Sequence, residues 1–275
     1  MTVLASAESL LMHKLASLIL AACLLLPANV HAWGFTGHEY IGATAYEYLT
    51  PQARRWVDSH LQRLDETSLA SATTWADRVR GTEEGRFLGP LHFANIPPDE
   101  QQIDMQRHCP NRRCVVGAAM NALDVMFDPQ ANPTAQADEL RKFSHWITDL
   151  HQPLHLGFAR DRGGNDTYVT VDGERINLHR VWDSLIIERK ELPAPAQLAA
   201  QNPLPESTED WYEALQLWAE EANHLAREYA YADLEPGDEL DSAYLIQAKQ
   251  VVKEQLTRSA QRMAMIINAA AAANQ

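Results

Sequence analysis

Helical periodicity dominates the chain. Apolar residues recur at three- and four-residue intervals, as they do along the buried face of an α-helix. Thr50 followed by Pro51 is typical of a helix start and predicts a helix that ends near Leu64. The same pattern predicts further helices over residues 67–80, 115–127, 134–150, 178–190, 207–231 and 241–272. The last two are long and amphipathic, and we expect them to form scaffold rather than active site.

One segment breaks this pattern. Residues 168–178, YVTVDGERINL, contain two short strand-like runs joined by Asp172 and Gly173, which predicts a β-hairpin. Pro- and Gly-rich breaks connect the helices elsewhere, and none has the character of a domain linker. The predicted fold class is therefore all-α (mainly α), a single multi-helix domain with a small β-hairpin near residues 168–178.

The first 32 residues have a separate purpose. Lys14 precedes an apolar run from Leu15 to Leu26, and the small residue Ala32 closes the segment. This order predicts a secretory signal peptide over residues 1–32, because the apolar run is shorter than the roughly 20 residues of a membrane-spanning helix. The mature domain is expected to cover residues 33–275 and to be secreted or periplasmic. Its 243 residues suffice for one large core.

Cysteine content agrees with export. Cys23 would leave with the signal peptide, so Cys109 and Cys114 remain as an even pair. In an exported protein such a pair predicts a disulfide that closes a small loop. Two free thiols or a metal-binding pair are the alternatives.

The formal net charge of the chain is -14 at pH 7. So much negative charge repels long polyanions unless bound cations offset it locally. A broad groove that follows a phosphate backbone is therefore disfavoured. A small site dominated by metal ions is compatible with this charge.

Metal-binding residue types are concentrated in 143-FSHWITDLHQPLHLGF-158. His145 and Asp149 lie four residues apart, so a helix places them on one face, and His155 follows the helix-stopping Pro153. The pair His179 and Asp183 repeats the same spacing in a second predicted helix.

Three further residues extend this set: His38, Asp77 and His92. Taken alone, each has an ordinary explanation, since His38 can start a helix and Asp77 can pair with a nearby arginine. Together, with large apolar neighbours that imply burial, the imidazoles and carboxylates favour a zinc centre in an exported hydrolase.

Six motifs occur in a specific order: WGFTGH, WADxxR, LHFxN, HWxxDxHQPLH, GGND and NLHxxWD. This order resembles that of the trinuclear-zinc, single-strand-specific nucleases and 3'-nucleotidases known as the S1/P1 nucleases. The resemblance covers residues 33–187, and the C-terminal helices are similar only in character. It implies the multi-helix phospholipase C/nuclease-like fold and three zinc ions per chain.

The resemblance also implies which residues bind each of the three ions. The implied ligands are Asp77, His92, His145 and Asp149 for one ion; Trp33, through its amino nitrogen and carbonyl oxygen, His38 and the bridging Asp149 for the second; and His155, His179 and Asp183 for the third. His151 lies inside a motif but is not a ligand in the family. The Trp33 nitrogen can bind zinc only as a free amine, which couples metal binding to signal cleavage.

The implied reaction is zinc-assisted phosphodiester hydrolysis that leaves a 5'-phosphate, with Asp149 between two ions. Arg80 is expected to contact phosphate, although a salt bridge to Asp77 is its alternative role. Asn95 and Asn165 are expected to hold the nucleotide. Some fungal members have an aspartate at the position of Asn95, so base preference stays open.

The expected substrates are single-stranded DNA and RNA, short oligonucleotides and 3'-nucleotides. We expect a monomer without stable membrane association after signal cleavage. Three zinc ions would reduce the net charge from -14 to -8, so the enzyme stays acidic. Phe87 and Tyr168 are candidates for base stacking, with core packing as the favoured role for each.

Two other functions compete with this interpretation. A zinc-dependent phospholipase C shares the N-terminal Trp and the three ions, but it has Glu at the position of Asp183. A non-catalytic zinc-binding protein would explain the histidines and would leave Arg80 and the GGND segment without a role.

Overall fold

The computed structural model describes residues 33–100, 102–188, 191–206, 210–232 and 234–274. The predicted signal peptide at residues 1–32 lies outside the described residues. The α-helices are α1 (Gly34–Glu47), α2 (Pro51–Gln62), α3 (Leu69–Thr73), α4 (Trp75–Arg78), α5 (Met105–His108), α6 (Val115–Met126), α7 (Pro133–Leu150), α8 (Leu178–Arg180), α9 (Ile186–Glu188), α10 (Pro195–Gln201), α11 (Trp211–Leu225) and α12 (Ser242–Ala273). The mainly helical fold class is confirmed.

Shorter helical segments connect these elements. The 3-10 helices cover Gly85–Phe87, Gly89–His92, Pro110–Arg112, Pro153–Leu156 and Ala159–Asp161. Two π-helical turns, Val181–Leu185 and Ala226–Tyr231, interrupt segments that the sequence predicts as continuous α-helices. Such turns often occur at functional sites, and the first of them carries Asp183.

Two helical predictions need correction. The helix predicted over residues 67–80 is divided into α3 and α4 at Thr74, whose ψ of -3° departs from α-helical geometry. A second correction concerns α1, which the apolar pattern does not predict. Its glycines lower the helix propensity of the segment. Gly42 has a packing reason, since a Cβ there would lie 2.8 Å from the Cα of Ala70 in α3.

Side-chain caps explain why several helices begin where they do. The hydroxyl of Thr50 accepts a hydrogen bond from the Ala53 amide at the start of α2. Asn132 caps α7 through the Thr134 amide, and Asp241 caps α12 through the Tyr244 amide. Each cap satisfies an amide that has no partner within its own helix.

Helix α7 passes through the centre of the described domain. It packs against α2, α3, α6 and α12, and residues 143–150 are all buried. A helix that is covered on every side normally carries apolar residues all round. Here the covered turns also contain Ser144, His145, Thr148 and Asp149, so polar groups lie within the core.

The predicted hairpin is present. Strand β1 (Tyr168–Val171) pairs antiparallel with β2 (Glu174–Asn177), and the turn residues Asp172 and Gly173 have positive φ angles of 53° and 80°. That conformation explains the Asp-Gly sequence. Because β2 leads directly into α8, the hairpin fixes the point at which His179 enters the core.

Cys109 and Cys114 form a disulfide with a Cα–Cα distance of 5.1 Å, which confirms the predicted pairing. The bond closes a short loop before α6. None of the helices in the described part of the chain combines the length and apolarity needed to cross a membrane.

Candidate metal centre

Five buried histidines are fixed in the same way, each through its Nδ1 atom. The Nδ1 partners are Thr148 Oγ1 for His38 (2.6 Å), the Leu88 carbonyl for His92 (2.9 Å), the Thr73 carbonyl for His145 (2.6 Å), the His92 carbonyl for His155 (2.6 Å) and the Gly163 carbonyl for His179 (2.6 Å). A carbonyl only accepts, so Nδ1 carries a proton in these histidines, and in the neutral ring Nε2 is left with the lone pair that can bind a metal.

His38 follows the same rule through a hydroxyl. Thr148 donates its hydroxyl proton to the His145 carbonyl at 2.6 Å. Its oxygen therefore accepts from Nδ1 of His38, and Nε2 of His38 keeps a free lone pair. One threonine thus links α1 to α7 and sets the tautomer of a candidate ligand.

Asp149 lies where three histidines converge. Its Oδ2 is 3.0 Å from Nε2 of His145, and its Oδ1 is 3.4 Å from Nε2 of His38 and 3.7 Å from Nδ1 of His155. Both side chains of the His145–Asp149 pair are completely buried. A carboxylate in this position can serve more than one cation.

Among the residues that the structure describes, the ligand atoms form three groups that could hold a metal ion. The groups are His38, Asp77 and His145; His92, His145 and Asp149; and His155, His179 and Asp183, with the atoms of each group within 4.8 Å of one another. The first two groups share His145. The residues singled out from the sequence as side-chain ligands therefore all converge in the structure.

The third group has a polar support that the motifs did not assign. Nε2 of His179 lies 3.1 Å from Oδ2 of Asp183, and the buried Gln152 donates its side-chain amide to the other oxygen of Asp183. Gln152 also accepts from the Leu154 amide. These contacts fix the rotamer of Gln152 and, through it, the direction of the carboxylate.

Burial and charge act in opposite directions on these groups. Burial is the largest single influence on His145 and lowers its pKa, but the charge and hydrogen bond of Asp149, the charge of Asp77 and the bond to the Thr73 carbonyl together raise that pKa above 6.5. Burial likewise opposes ionisation of Asp149, yet the neighbouring His145 and His155 hold its pKa well below 3.8. For His155 burial dominates and lowers the pKa to about 4.

The chain matches the S1/P1 nuclease family over residues 33–272. The chain belongs to that family. Endonuclease 2 of Arabidopsis thaliana is 30% identical over 283 residues, covering 94% of this chain and 97% of the relative. Endonuclease 4 of the same plant is 30% identical over 267 residues, covering 86% and 88%. Nuclease P1 of Penicillium citrinum is 32% identical over 198 residues, covering 71% of this chain and 70% of the relative.

This membership confirms the family predicted from the six motifs. The chain is a nuclease, a hydrolase of phosphodiester bonds, and its family implies dependence on zinc. The phospholipase C and the non-catalytic zinc-binding protein were the rival interpretations, and the matched relatives are nucleases.

In this S1/P1 family member the first described residue is buried inside the domain. Trp33 is fully buried, and its indole nitrogen donates to the Thr148 carbonyl at 2.7 Å. Trp33 therefore shares Thr148 with His38. Its backbone adopts a φ of 28°, and Gly34 follows at 41°, which directs the chain sharply into α1.

The candidate substrate residues lie beside the ligands. NH1 of Arg80 is 3.7 Å from Oδ1 of Asp77, so the salt bridge named as its alternative role is present. Asn165 donates its amide to the Arg162 carbonyl at 2.9 Å. A Cβ added at Gly163 would lie 3.5 Å from Oδ1 of Asn95, which places Asn95 next to the turn that carries Asn165.

Core packing was the wrong expectation for both aromatic candidates. Phe87 is 62% exposed and lies under the Arg86 guanidinium, and Tyr168 is 36% exposed and lies under that of Arg175. Phe93, which the sequence pattern does not single out, is 37% exposed and directly follows the candidate ligand His92.

His151 differs from the five candidate ligand histidines at its Nε2 atom. Its Nδ1 donates to the Ile147 carbonyl at 2.7 Å, while its Nε2 accepts from Arg262 at 2.9 Å. Burial, then the charge of Arg262, lower its pKa well below 6.5, so it stays neutral. Because the lone pair of Nε2 is used by Arg262, this histidine has a structural role in the present arrangement.

Proposed function

We propose that this protein is an exported endonuclease and 3'-nucleotidase. It hydrolyses phosphodiester bonds of single-stranded DNA and RNA, leaves 5'-phosphate products and uses three zinc ions per chain. The convergence of five buried histidines and three aspartates, with the lone pairs of their Nε2 atoms directed by a common Nδ1 pattern, carries the proposal.

The donor set fits zinc. Nε2 of His38, His92 and His145 and both carboxylate oxygens of Asp149 are buried, and while the three rings are neutral no donor among the described residues satisfies them. Leaving such atoms unsatisfied is costly, and a cation that accepts them removes the cost. Neutral imidazole and carboxylate are ligands that zinc prefers when cysteine is absent.

We assign the ligands as the sequence resemblance implies. His92, His145, Asp77 and the shared Asp149 hold one ion, and His155, His179 and Asp183 hold another. Trp33 and His38 complete the remaining site with Asp149, for which the close approach of His38 Nε2 to Asp149 Oδ1 is the support. When bound, zinc supplies Lewis acidity and makes a water molecule acidic enough to attack phosphorus near neutral pH.

The chain itself contributes positioning and charge. Asp149 orients the imidazoles of His38 and His145 toward a common point, and Gln152 holds Asp183. Arg80, partly exposed beside Asp77, is placed to contact a phosphoryl oxygen of a bound substrate and to stabilise its growing negative charge. Asn95 and Asn165 are assigned to the nucleotide because both border the turn at Gly163.

Two features support the preference for single strands and short substrates. The candidate ligands are at most 6% exposed, so the backbone of a stacked duplex cannot reach them easily. An unpaired nucleotide can turn inward and stack its base on an exposed ring such as Phe93. The acidic charge of -14 limits electrostatic attraction to long polymers.

Export and maturation form part of the proposal. The family match begins at residue 33, the predicted mature terminus, and the Cys109–Cys114 disulfide suits an oxidising compartment. We propose removal of residues 1–32, secretion or export to the periplasm, and a monomeric mature domain.

The decisive experiment uses the mature protein that starts at Trp33. Zinc is counted by elemental analysis, and turnover is compared on a single-stranded oligonucleotide, its duplex and phosphatidylcholine. About three zinc ions and 5'-phosphate products mainly from the single strand are expected. Cleavage of phosphatidylcholine alone would show that the enzyme is a phospholipase C. Three slowly released zinc ions without turnover would indicate a non-catalytic zinc-binding protein.

A further inference from the structure

A buried carboxylate lies close to the metal centre and is not part of it. Asp161 is 7% exposed, and its two oxygens accept from two hydroxyl groups. Tyr231 donates to Oδ1 at 2.9 Å, and Thr167 donates to Oδ2 at 2.6 Å. Both donors are neutral, and a buried carboxylate that neutral groups hold is costly, so its retention at this position needs a reason.

These contacts close an unusual turn. Three consecutive residues after Asp161 have positive φ angles: Arg162 at 55°, Gly163 at 66° and Gly164 at 81°. Such conformations persist only where surrounding contacts hold them. Thr167 follows the turn and Asp161 precedes it, so their hydrogen bond joins entry and exit, as does the bond from the Asp166 amide to the Asp161 carbonyl at 3.0 Å.

Tyr231 attaches this turn to the C-terminal half of the domain. It belongs to the second π-helical turn, and its ring stacks on Phe158 at a centroid distance of 4.1 Å. Its hydroxyl also accepts from the Phe158 amide at 3.1 Å. Burial, then the charge of Asp161, raise the pKa of Tyr231, so the hydroxyl remains a donor at neutral pH.

The turn at residues 162–164 holds the candidate zinc ligand His179 through two hydrogen bonds. The Gly163 carbonyl accepts from Nδ1 of His179 at 2.6 Å, and the Gly164 carbonyl accepts from the His179 amide at 3.2 Å. A side chain cannot replace Gly163, since a Cβ there would lie 2.3 Å from the Leu154 carbonyl oxygen. The orientation of the His179 ring therefore depends on the exact path of this turn.

We propose that Tyr231, Asp161 and Thr167 form a hydroxyl–carboxylate clamp that positions His179 for the third zinc ion. The clamp holds the turn at residues 162–164, and the turn holds both the ring and the backbone of His179. This inference rests on the proposed three-zinc function. Tyr231 lies at the end of the helix predicted over residues 207–231, for which a scaffold role is expected from the sequence. The clamp gives this residue a role in the metal centre.

The test measures zinc affinity by competition with a chelator, separately from turnover. Tyr231→Phe removes the hydroxyl and keeps the ring that stacks on Phe158. Thr167→Val removes the second donor, and Thr167→Ser restores it. Tyr48→Phe is the matched control, since the Tyr48 hydroxyl donates to the Asn202 carbonyl in another part of the domain. His179→Ala marks the loss of the third ion.

We expect one of the three zinc ions to bind about tenfold more weakly in Tyr231→Phe and Thr167→Val, as when an outer hydrogen-bond partner of a metal ligand is removed. Thr167→Ser and Tyr48→Phe should keep the wild-type affinity. The melting temperature of each variant in excess chelator reports its effect on general stability, so that a change in zinc affinity can be separated from that effect.

Contrary results are distinguishable. Unchanged affinities for all three ions in Tyr231→Phe and Thr167→Val, beside a wild type that binds three, would overturn the clamp alone. If Tyr48→Phe weakened zinc affinity to the same extent, the change would reflect general stability, and the clamp would be overturned as well. A wild type that binds fewer than three ions would overturn the proposed function and the role of the clamp with it.

Discussion

Nε2 of His145 lies 3.0 Å from Oδ2 of Asp149, one helical turn further along α7, and both side chains are completely buried. The four-residue spacing makes this contact automatic once the helix forms. Burial makes it costly unless a cation joins the two groups. The pair therefore needs a positive charge between its two groups, which a proton on His145 supplies in the metal-free protein and which zinc would supply when bound.

Replacing the shared carboxylate is the most direct test of this relationship. Asp149→Asn keeps the size of the side chain but removes the charge that two candidate sites share. We expect loss of at least one zinc ion and a fall in turnover of about a hundredfold or more. Asp138→Asn is the control on the same helix, because its ion pair with Lys142 is partly exposed and should contribute little to stability. Full zinc content and normal turnover in Asp149→Asn would contradict the assignment.

Arg80 and Arg78 allow a comparison within one short segment. Arg80 lies beside Asp77, whereas Arg78 pairs with Glu66 at 2.6 Å. Arg80→Ala is expected to lower turnover about a hundredfold with unchanged zinc content, because it removes charge stabilisation in the transition state. Arg78→Ala should keep normal turnover. If Arg80→Ala lost zinc in proportion to activity, its role would be the salt bridge to Asp77.

The buried Trp33 predicts sensitivity to the position of signal cleavage. A chain with one extra residue before Trp33 has an amide where the proposed ligand is a free amine. We expect that chain to bind one zinc ion fewer than the chain starting at Trp33 and to lose most of its activity. Elemental analysis of the two proteins, produced side by side, checks this. Equal zinc content and equal turnover would exclude the amine as a ligand.

Zinc binding should release protons near neutral pH. In the metal-free protein burial is the largest influence on His145 and His179, but the charges and hydrogen bonds of Asp149 and Asp183 and the bonds to backbone carbonyls together raise both pKa values. Zinc displaces protons from both, whereas His155, with a pKa of about 4, is already neutral. Calorimetry in two buffers of different ionisation enthalpy should show proton release at pH 6.5 that declines towards pH 9. Zinc uptake without proton release at pH 6.5 would contradict these protonation states.

The same pKa shifts have signs that matter for the metal-free fold. A raised histidine pKa contributes stability that is fully present below 6.5 and is lost as the pH rises through the folded value. The lowered pKa of His155 acts in the opposite direction, so it costs stability as the pH falls from 6.5 towards 4. The free energy of unfolding of His155→Gln, measured without metal, should therefore be less sensitive to acid than that of the wild type.

Asn95→Asp tests base preference. The change removes an amide donor and adds a carboxylate at the position where some fungal members have aspartate. We expect zinc content to stay unchanged while the relative rates on homopolymeric oligonucleotides change severalfold. Identical relative rates in the variant and the wild type would place base recognition elsewhere.

Local patterns in the sequence predict most of the long helices, the hairpin and the pairing of histidine with aspartate within a helix. Asp172 and Gly173 determine the hairpin turn, and four-residue spacing places His145 with Asp149. Those features depend on neighbours along the chain, so periodicity and turn chemistry are sufficient to predict them.

The remaining features depend on contacts between distant residues. Thr148 meets His38 across 110 positions and Tyr231 meets Asp161 across 70, and no local pattern announces either contact. The π-helical turn at Val181–Leu185 also depends on packing, because its residues have ordinary helix propensities. The 62% exposure of Phe87 also depends on how its short 3-10 helix packs against the rest of the domain, which no local pattern reveals.

The unsatisfied Nε2 and carboxylate atoms around Asp149 have a consequence for the life of the protein in its compartment. A chain that meets no zinc keeps five histidines and three carboxylates buried together with only protons to offset their charge, which favours local opening of the domain. Opened chains are the ones that proteases degrade. Zinc availability would then set the abundance of this nuclease as well as its activity, and a shortage of the metal would remove the protein.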